Sequence, residues 1–409
     1  MKPPTLRDPR TRPALLLSLI LVVASMRWIA SAGGRSELFT ADSYLLYQAA
    51  TLGFNYLELG AVRRGLGGSI VHLLNPDMLV ATLLFHVLSA VAVAVAAGLL
   101  FRRIAGPPWI RAVFAFTAVT IMLRWAEDAV GRTDLSIAAL LAFATLAVTA
   151  GRLMLACALV CIGLFIHETS LIFGLPLLAA LLLRRGGWSA WRANDKAWAG
   201  LAFAVALALY AGMAWLPHVD TQTAIDTVRA KFAAHRFVDW GIYFAVSGSR
   251  GVRTSICQNM IDPNFWLHVG GGLVVLLVIG LALGSRIRAE WRAMLLASLP
   301  PFLFLCVVAN DNARWITLAC FNVWLVAAAT PDRNGRSEVP ARLAVAAAVA
   351  LLLLTHPRLG RSQTPMFEAS PLLERVSRQL GGPRTPTFAQ ALQRCDPGWR
   401  DALGPAPLR

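Results

Sequence analysis

Five charged motifs interrupt an otherwise apolar chain, and their residue types set what chemistry each could do. The stretch 41–74 reads ADSYLLYQAATLGFNYLELGAVRRGLGGSIVHLL, too polar to cross a bilayer and too apolar for a solvated loop. Asp42 opens it, where a carboxylate either caps a helix or acts as a general base beside a substrate. Glu58, later in the stretch, is a second carboxylate suited to substrate binding. Arg63-Arg64-Gly65-Leu66-Gly67-Gly68-Ser69 joins two guanidinium groups to three glycines. Arginine forks grip phosphate and glycine lets backbone come close, although arginines also snorkel to lipid headgroups. The glycine spacing is neither a Walker loop nor a dinucleotide fingerprint.

The other three motifs are shorter. Arg124-Trp125-Ala126-Glu127-Asp128 and Gly131-Arg132-Thr133-Asp134 form a mixed-charge loop, in which Arg132 and Asp134 are candidate substrate ligands. A solvated ion-pair loop, with Asp134 capping the next helix, is the plain alternative. His167-Glu168 lies between two half-length apolar blocks, where ionisable groups are costly unless paired or wetted, and reads as a catalytic pair. No second histidine follows at metalloprotease spacing. Asp311-Asn312-Ala313-Arg314-Trp315 offers either an i,i+3 ion pair or a phosphate-binding Arg314 oriented by Asp311.

The elements that must position these motifs are membrane helices. Of 409 residues, 57% are hydrophobic and 15% charged, far from a soluble composition. The net charge of +16 sits between apolar blocks, where topology accounts for it, and nucleic acid is not implied. Spans are expected at 14–32, 78–101, 109–123, 134–150, 153–166, 169–183, 198–217, 264–284, 293–309, 315–330 and 341–355. The expected fold is therefore an all-α polytopic membrane protein of about eleven transmembrane helices, by the ~20 residues a span requires. Ala30-Ser31-Ala32 resembles a signal-peptidase site, but Arg27 just before it favours an uncleaved anchor.

Charge sets the orientation. With the N-terminus cytoplasmic, every short inside loop is basic: Arg102, Arg103 and Arg111; Arg184, Arg185, Arg192 and Lys196; Arg286, Arg288 and Arg292. The five motifs then fall on the other face, in or at the edge of segments 33–77, 124–133, 167–168 and 310–314, and loop 218–263 lies on that face too. The membrane domain runs over 1–355, and 356–409 is a Pro- and Arg-rich tail on the same outer face. A transporter would collect ionisable groups near the bilayer midplane, whereas an enzyme working at the outer face would place them as here.

Within this frame, Leu45, Ala49, Leu52 and Tyr56 make one apolar stripe, as expected of a helix lying in the interface. Pro300-Pro301 is expected to break or kink its span. Loop 218–263 should hold a helix near 220–235 and aromatic residues at Phe237, Trp240, Tyr243 and Phe244, and the tail a short helix over 366–380. Cys157, Cys161, Cys306 and Cys320 lie within spans and read as small apolar residues without metal. Cys257 and Cys395 alone fall in water, both on the outer face, where oxidising conditions pair thiols. A bond between them is expected, tying the tail to loop 218–263.

An acidic residue in the first outer loop, interfacial helices and many spans of uneven length resemble the GT-C membrane glycosyltransferases. Asp-x-Tyr-x-x-Tyr at 42–47 with Glu58-Leu59-Gly60 is also similar to the opening of EpsG-type polysaccharide polymerases. The architectural resemblance covers most of the chain, and the motif resemblance only about 40–75. It implies a GT-C-like fold and Asp42 in the place of the catalytic base, although Ser43 follows where a second acidic residue is frequent. It also implies that Arg63, Arg64, Arg132 and Arg314 hold a lipid pyrophosphate. The implied activity is transfer of a sugar or glycan unit from a polyprenyl-(pyro)phosphate donor at the periplasmic face of a bacterial inner membrane, in cell-surface or exopolysaccharide biosynthesis. Such a reaction needs no soluble cofactor. Its partners would be the lipid-linked glycan, membrane lipid and polysaccharide-assembly proteins. A transporter or flippase of a lipid-linked glycan is the alternative.

Overall fold

A computed structural model describes residues 49, 51–60, 65–74, 78–104, 108–128, 133–184, 192–212, 221–231, 248–262, 265–284, 288–309, 312–330, 379 and 388–399. Nearly all of these residues are helical, and no strand occurs among them. Two short helices, α1 (Tyr56–Leu59) and α2 (Gly65–Leu74), precede the long α3 (Met78–Phe101) and α4 (Pro108–Asp128). Then follow α5 (Asp134–Thr149), the hairpin of α6 (Leu153–Ile166) and α7 (Thr169–Arg184), and α8 (Ala193–Gly212). Helices α9 (Thr221–Lys231) and α10 (Gly248–Ile261) lead to α11 (Phe265–Leu283), α12 (Arg288–Val308) and α13 (Asn312–Ala329). Helix α14 (Phe388–Cys395) lies in the tail.

Three helices are long and apolar enough to cross a membrane, over Val80–Phe101, Phe265–Leu283 and Arg288–Val308. The other apolar helices have 10–17 suitable residues. Helices α6 and α7, for instance, have 14 and 16 residues, or roughly 21 and 24 Å at 1.5 Å per residue against a ~30 Å hydrocarbon core. They pack closely on each other. A Cβ on Gly163 would fall 2.0 Å from Ser170 Oγ, and one on Gly174 would fall 2.7 Å from Val160 Cγ1. Small residues at such crossings let backbones approach, the main source of helix association in lipid.

Helix α13 is the axis of the bundle and packs against α12, α11, α4, α5 and α7. Its Trp324 is fully buried, stacks on Phe321 at 5.9 Å and donates from Nε1 to the Phe114 carbonyl of α4 at 3.0 Å. Asn322, one turn from Leu318 and also fully buried, donates from Nδ2 to the carbonyls of Ala297 (2.7 Å) and Phe173 (3.1 Å). The first of these carbonyls is the one Pro301 deprives of its helical N–H, and the second lies three residues before Pro176 of α7. This explains why α12 stays helical through Pro300-Pro301, without the break that is one of the two expected outcomes. A neighbouring side chain re-satisfies the freed backbone, as an apolar medium demands. Ser89 and Ser136 form a further polar link, 2.7 Å apart, between α3 and α5.

Four other expectations change. The expected loop 124–133 begins later, because α4 continues through Arg124 to Asp128. The single interfacial helix through Ala49, Leu52 and Tyr56 is interrupted at 52–55, and Tyr56 starts a new helix behind an Asn55 cap. Ala49 and Leu52 are buried in the fold rather than turned to the interface. Helix α9 matches the one expected near 220–235, but the same loop holds a second helix, α10, which had no apolar periodicity to announce it. The tail, where a short helix is expected over 366–380, carries one at its end, α14, which packs on α10. The first expected span, the last one at 341–355, the aromatic group Phe237–Phe244 and all but one residue of 366–380 lie outside the described residues.

Candidate functional site at the charged pole

The described members of the five motifs sit at helix ends, and contacts between those ends gather them at one pole of the bundle. The deepest is Asp134, the first residue of α5. It is fully buried and takes Arg314 from the first turn of α13, with Nε 2.7 Å from Oδ1 and 2.6 Å from Oδ2. Arg314 also lies over the ring of its neighbour Trp315, 4.7 Å from the centroid. A buried carboxylate is tolerated only with such a partner. The negative charge also sits at a helix N-terminus, where the macrodipole favours it. Arg314 is therefore oriented by Asp134, in the role expected of Asp311, which lies outside the described residues.

The second group stands on the first outer stretch. Asn55 caps α1: its side-chain oxygen accepts from the Glu58 amide at 2.9 Å, and its Nδ2 donates to Glu58 Oε2 at 2.6 Å. The same Oε2 takes Lys231 Nζ from the end of α9 and lies 3.6 Å from His72 Nδ1 of α2. Burial pushes the Glu58 carboxyl up. The bonds from Lys231 and Asn55, with the charges of Lys231 and His72, outweigh that and hold it below its ordinary value. Neither His72 nor Lys231 stands out in the sequence. The one available signal for Lys231 is rarity, since the chain contains only three lysines.

The glycines between these residues serve the protein's own backbone. A Cβ on Gly68 would fall 2.0 Å from the Phe54 carbonyl oxygen and 2.6 Å from that of Leu52. Helix α2 thus lies directly on the 52–55 turn. Ser69 fastens it there, accepting from the Tyr56 amide at 2.9 Å and donating to Gly65 at 2.8 Å. The close approach expected of Gly65-Leu66-Gly67-Gly68 for a phosphate is used here by chain 52–55. Tyr56 points its hydroxyl towards the Phe165 carbonyl at 3.5 Å, which joins this stretch to the α6–α7 turn. Burial raises its phenol above the ordinary value, against amides of Gly65 and Leu66 that act to lower it.

That turn holds His167 and Glu168. His167 is buried with an extended backbone, and its Nδ1 accepts the Thr169 amide at 3.2 Å and lies 3.0 Å from Thr169 Oγ1. Glu168 Oε2 is 3.6 Å from the same nitrogen. A nitrogen that accepts an amide proton carries none to give, so this geometry assigns the ring proton to Nε2. In this arrangement His167 satisfies an orphan donor at the start of α7. Glu168 stands beside it with 19% of its side chain exposed. Asp42, Arg63, Arg64 and Arg132 lie outside the described residues.

Cys257 and Cys395 are joined in a disulfide with Cα atoms 5.7 Å apart, and the four other cysteines are free and buried. Among the described residues no group of three or more His, Cys, Asp or Glu side chains is placed to hold a metal ion. No model of a known protein family matches the chain, and no curated protein matches it in sequence.

Proposed function

We propose that this chain is a membrane transferase that takes a sugar or glycan unit from a polyprenyl-(pyro)phosphate donor at its charged pole, facing the periplasm of a bacterial inner membrane. The observation that supports this reading is the gathering of Glu58, Asp134, His167, Glu168 and Arg314 at helix ends of one pole, on apolar helices suited to a bilayer. The about eleven crossings and GT-C-like architecture expected from the sequence belong to this proposal.

In the mechanism, a carboxylate takes the proton of an acceptor hydroxyl, whose oxygen attacks the anomeric carbon while the bond to the carrier phosphate breaks. Positive charge at the pole meets the phosphate as it departs. Two contacts support a division of roles. Asp134 is occupied in orienting Arg314, and Glu58 is held in its charged form by Lys231 and Asn55, which makes it a weak base. Glu168 and Asp42 are the candidate bases, and Arg314, with Arg63, Arg64 and Arg132, serves the phosphate.

One observation favours the alternative, a transporter or flippase of a lipid-linked glycan. His86 is fully buried in α3, eight residues from its start or roughly 12 Å along the axis. Ionisable groups at that depth mark transport paths. Glycan and lipid extracts from a deletion strain separate the two. A transferase leaves a lipid-linked intermediate lacking the transferred unit, whereas a flippase leaves the complete intermediate on the cytoplasmic leaflet. In complemented strains, Glu168→Gln or Asp42→Asn should abolish the product at normal protein level, and Arg314→Lys should reduce it, because lysine lacks the guanidinium fork. Normal glycan from all three variants would remove the reading.

A further inference from the structure

Helix α14 is held on α10 by two different kinds of bond. Cys395 is linked covalently to Cys257. The adjacent Asp396 accepts Nε and Nη2 of Arg250, each at 2.6 Å, in a two-pronged pair. Arg250 and Cys257 are seven residues apart, two helical turns, and so lie on one face of α10. Ala391, Leu392 and Trp399 are buried around this junction. On its other side α10 grips the end of α12. Asn259 donates from Nδ2 to the carbonyls of Cys306 (2.8 Å), Val307 (3.0 Å) and Ala309 (3.1 Å). Carbonyls in the last turn of a helix have no partner within it, so this amide closes the end of α12. Ala309 stands five residues before Arg314, the arginine held by Asp134.

We propose that the Cys257–Cys395 bond is a redox-sensitive clasp whose state reaches the candidate site through Asn259. With the bond closed, α10 is seated on the end of α12, and the first turn of α13, a few residues on, holds Arg314 against Asp134. A dithiol opens the clasp by giving two electrons and two protons. The protein disulfide becomes two thiols, and the dithiol becomes a disulfide. What remains is the packing of Ala391, Leu392 and Trp399 and the Arg250–Asp396 pair, whose arginine is substantially exposed and which salt screens. Helix α10 then loosens, and the turn bearing Arg314 loosens with it. The coupling runs through bonded groups rather than through mere proximity. It holds whether or not the pole transfers sugars.

The test is hydrogen exchange by mass spectrometry on the full chain in lipid nanodiscs, with and without dithiothreitol. Reduction should speed exchange in the α14 peptide and, by roughly tenfold, in a peptide covering 303–318, as expected when local opening becomes easier. Asn259→Ala, kept oxidised, should speed 303–318 and leave α14 protected. The double variant Cys257→Ser/Cys395→Ser should exchange fast in both peptides and ignore dithiothreitol. Release of α14 without a change at 303–318 would overturn the coupling, as would an Asn259→Ala variant that leaves 303–318 as slow as before. No change in either peptide on reduction, with the thiols shown to be free, would overturn the clasp itself.

Discussion

Two ion pairs at the charged pole use the same chemistry in opposite surroundings. Asp134–Arg314 joins the starts of α5 and α13, with side chains 0% and 14% exposed, while Glu58–Lys231 joins α1 to α9 with 30% and 21% exposed. Both bring together residues more than 170 positions apart. In the first pair burial keeps water from replacing a lost partner. In the second, water and the neighbouring Asn55 and His72 share the load. Burial, rather than the distance between the charges, decides which pair the fold depends on.

The largest effect should come from breaking the buried pair on one side. Asp134→Leu strands the Arg314 charge and should cost ~3–5 kcal/mol in denaturant unfolding in detergent. The double change Asp134→Leu/Arg314→Met should recover most of that. A single-variant loss below ~1 kcal/mol would mean that water reaches the pair, and the contrast would fail.

Next in size is the backbone beneath the exposed pair. Gly68→Ala puts a methyl group against the Phe54 and Leu52 carbonyls and should cost ~1–3 kcal/mol, as overpacking does. Gly270→Ala, where nothing lies within 4 Å of the added carbon, should be neutral or slightly stabilising, because glycine is a poor helix former. Equal effects at the two glycines would show that α2 does not rest on the 52–55 turn.

The smallest effect belongs to Glu58–Lys231. Lys231→Ala should cost ~0.2–1 kcal/mol, shrinking further in high salt. The pH dependence has a definite sign. Glu58 titrates below the ordinary 4.5 in the folded protein, so its contribution is present above the unfolded value and is lost as pH falls through the lower folded one. Removing Lys231 should bring the folded value up towards 4.5, readable by carbon-13 NMR of the Glu58 carboxyl. An unmoved titration would mean that Lys231 is not the partner that holds it.

What the sequence disclosed and what it hid divide along the same line. The apolar blocks expected at 78–101 and 153–166 are the helices Met78–Phe101 and Leu153–Ile166, because charged residues and glycine bound them on both sides. The Cys257–Cys395 pairing was legible because only two of six cysteines fall outside apolar blocks. Hidden were the partners set by tertiary packing. Spacing proposes Asp311 for Arg314, but the fold supplies Asp134 from another helix. Proline chemistry proposes a break or kink at Pro300-Pro301, and the helix continues there, with Asn322 taking up the freed Ala297 carbonyl. The histidine next to Glu168 suggests an acid–base pair, yet its Nδ1 is engaged by the Thr169 amide. Local pattern finds elements and exposes candidates, and it is silent on which distant group has already claimed them.

The disulfide also imposes a timetable. Cys395 follows Cys257 by 138 residues, so at roughly 5–20 residues per second the ribosome delivers the second sulfur about 7–28 s after the first. Throughout that interval Cys257 is a thiol waiting for a partner. The other four cysteines of the finished fold are buried, which leaves it no accessible competitor within the chain once their helices have packed. Its premature partners are thus other molecules, a thiol oxidoreductase or a second nascent chain. The yield of correctly closed protein should therefore depend on expression rate as well as on stability.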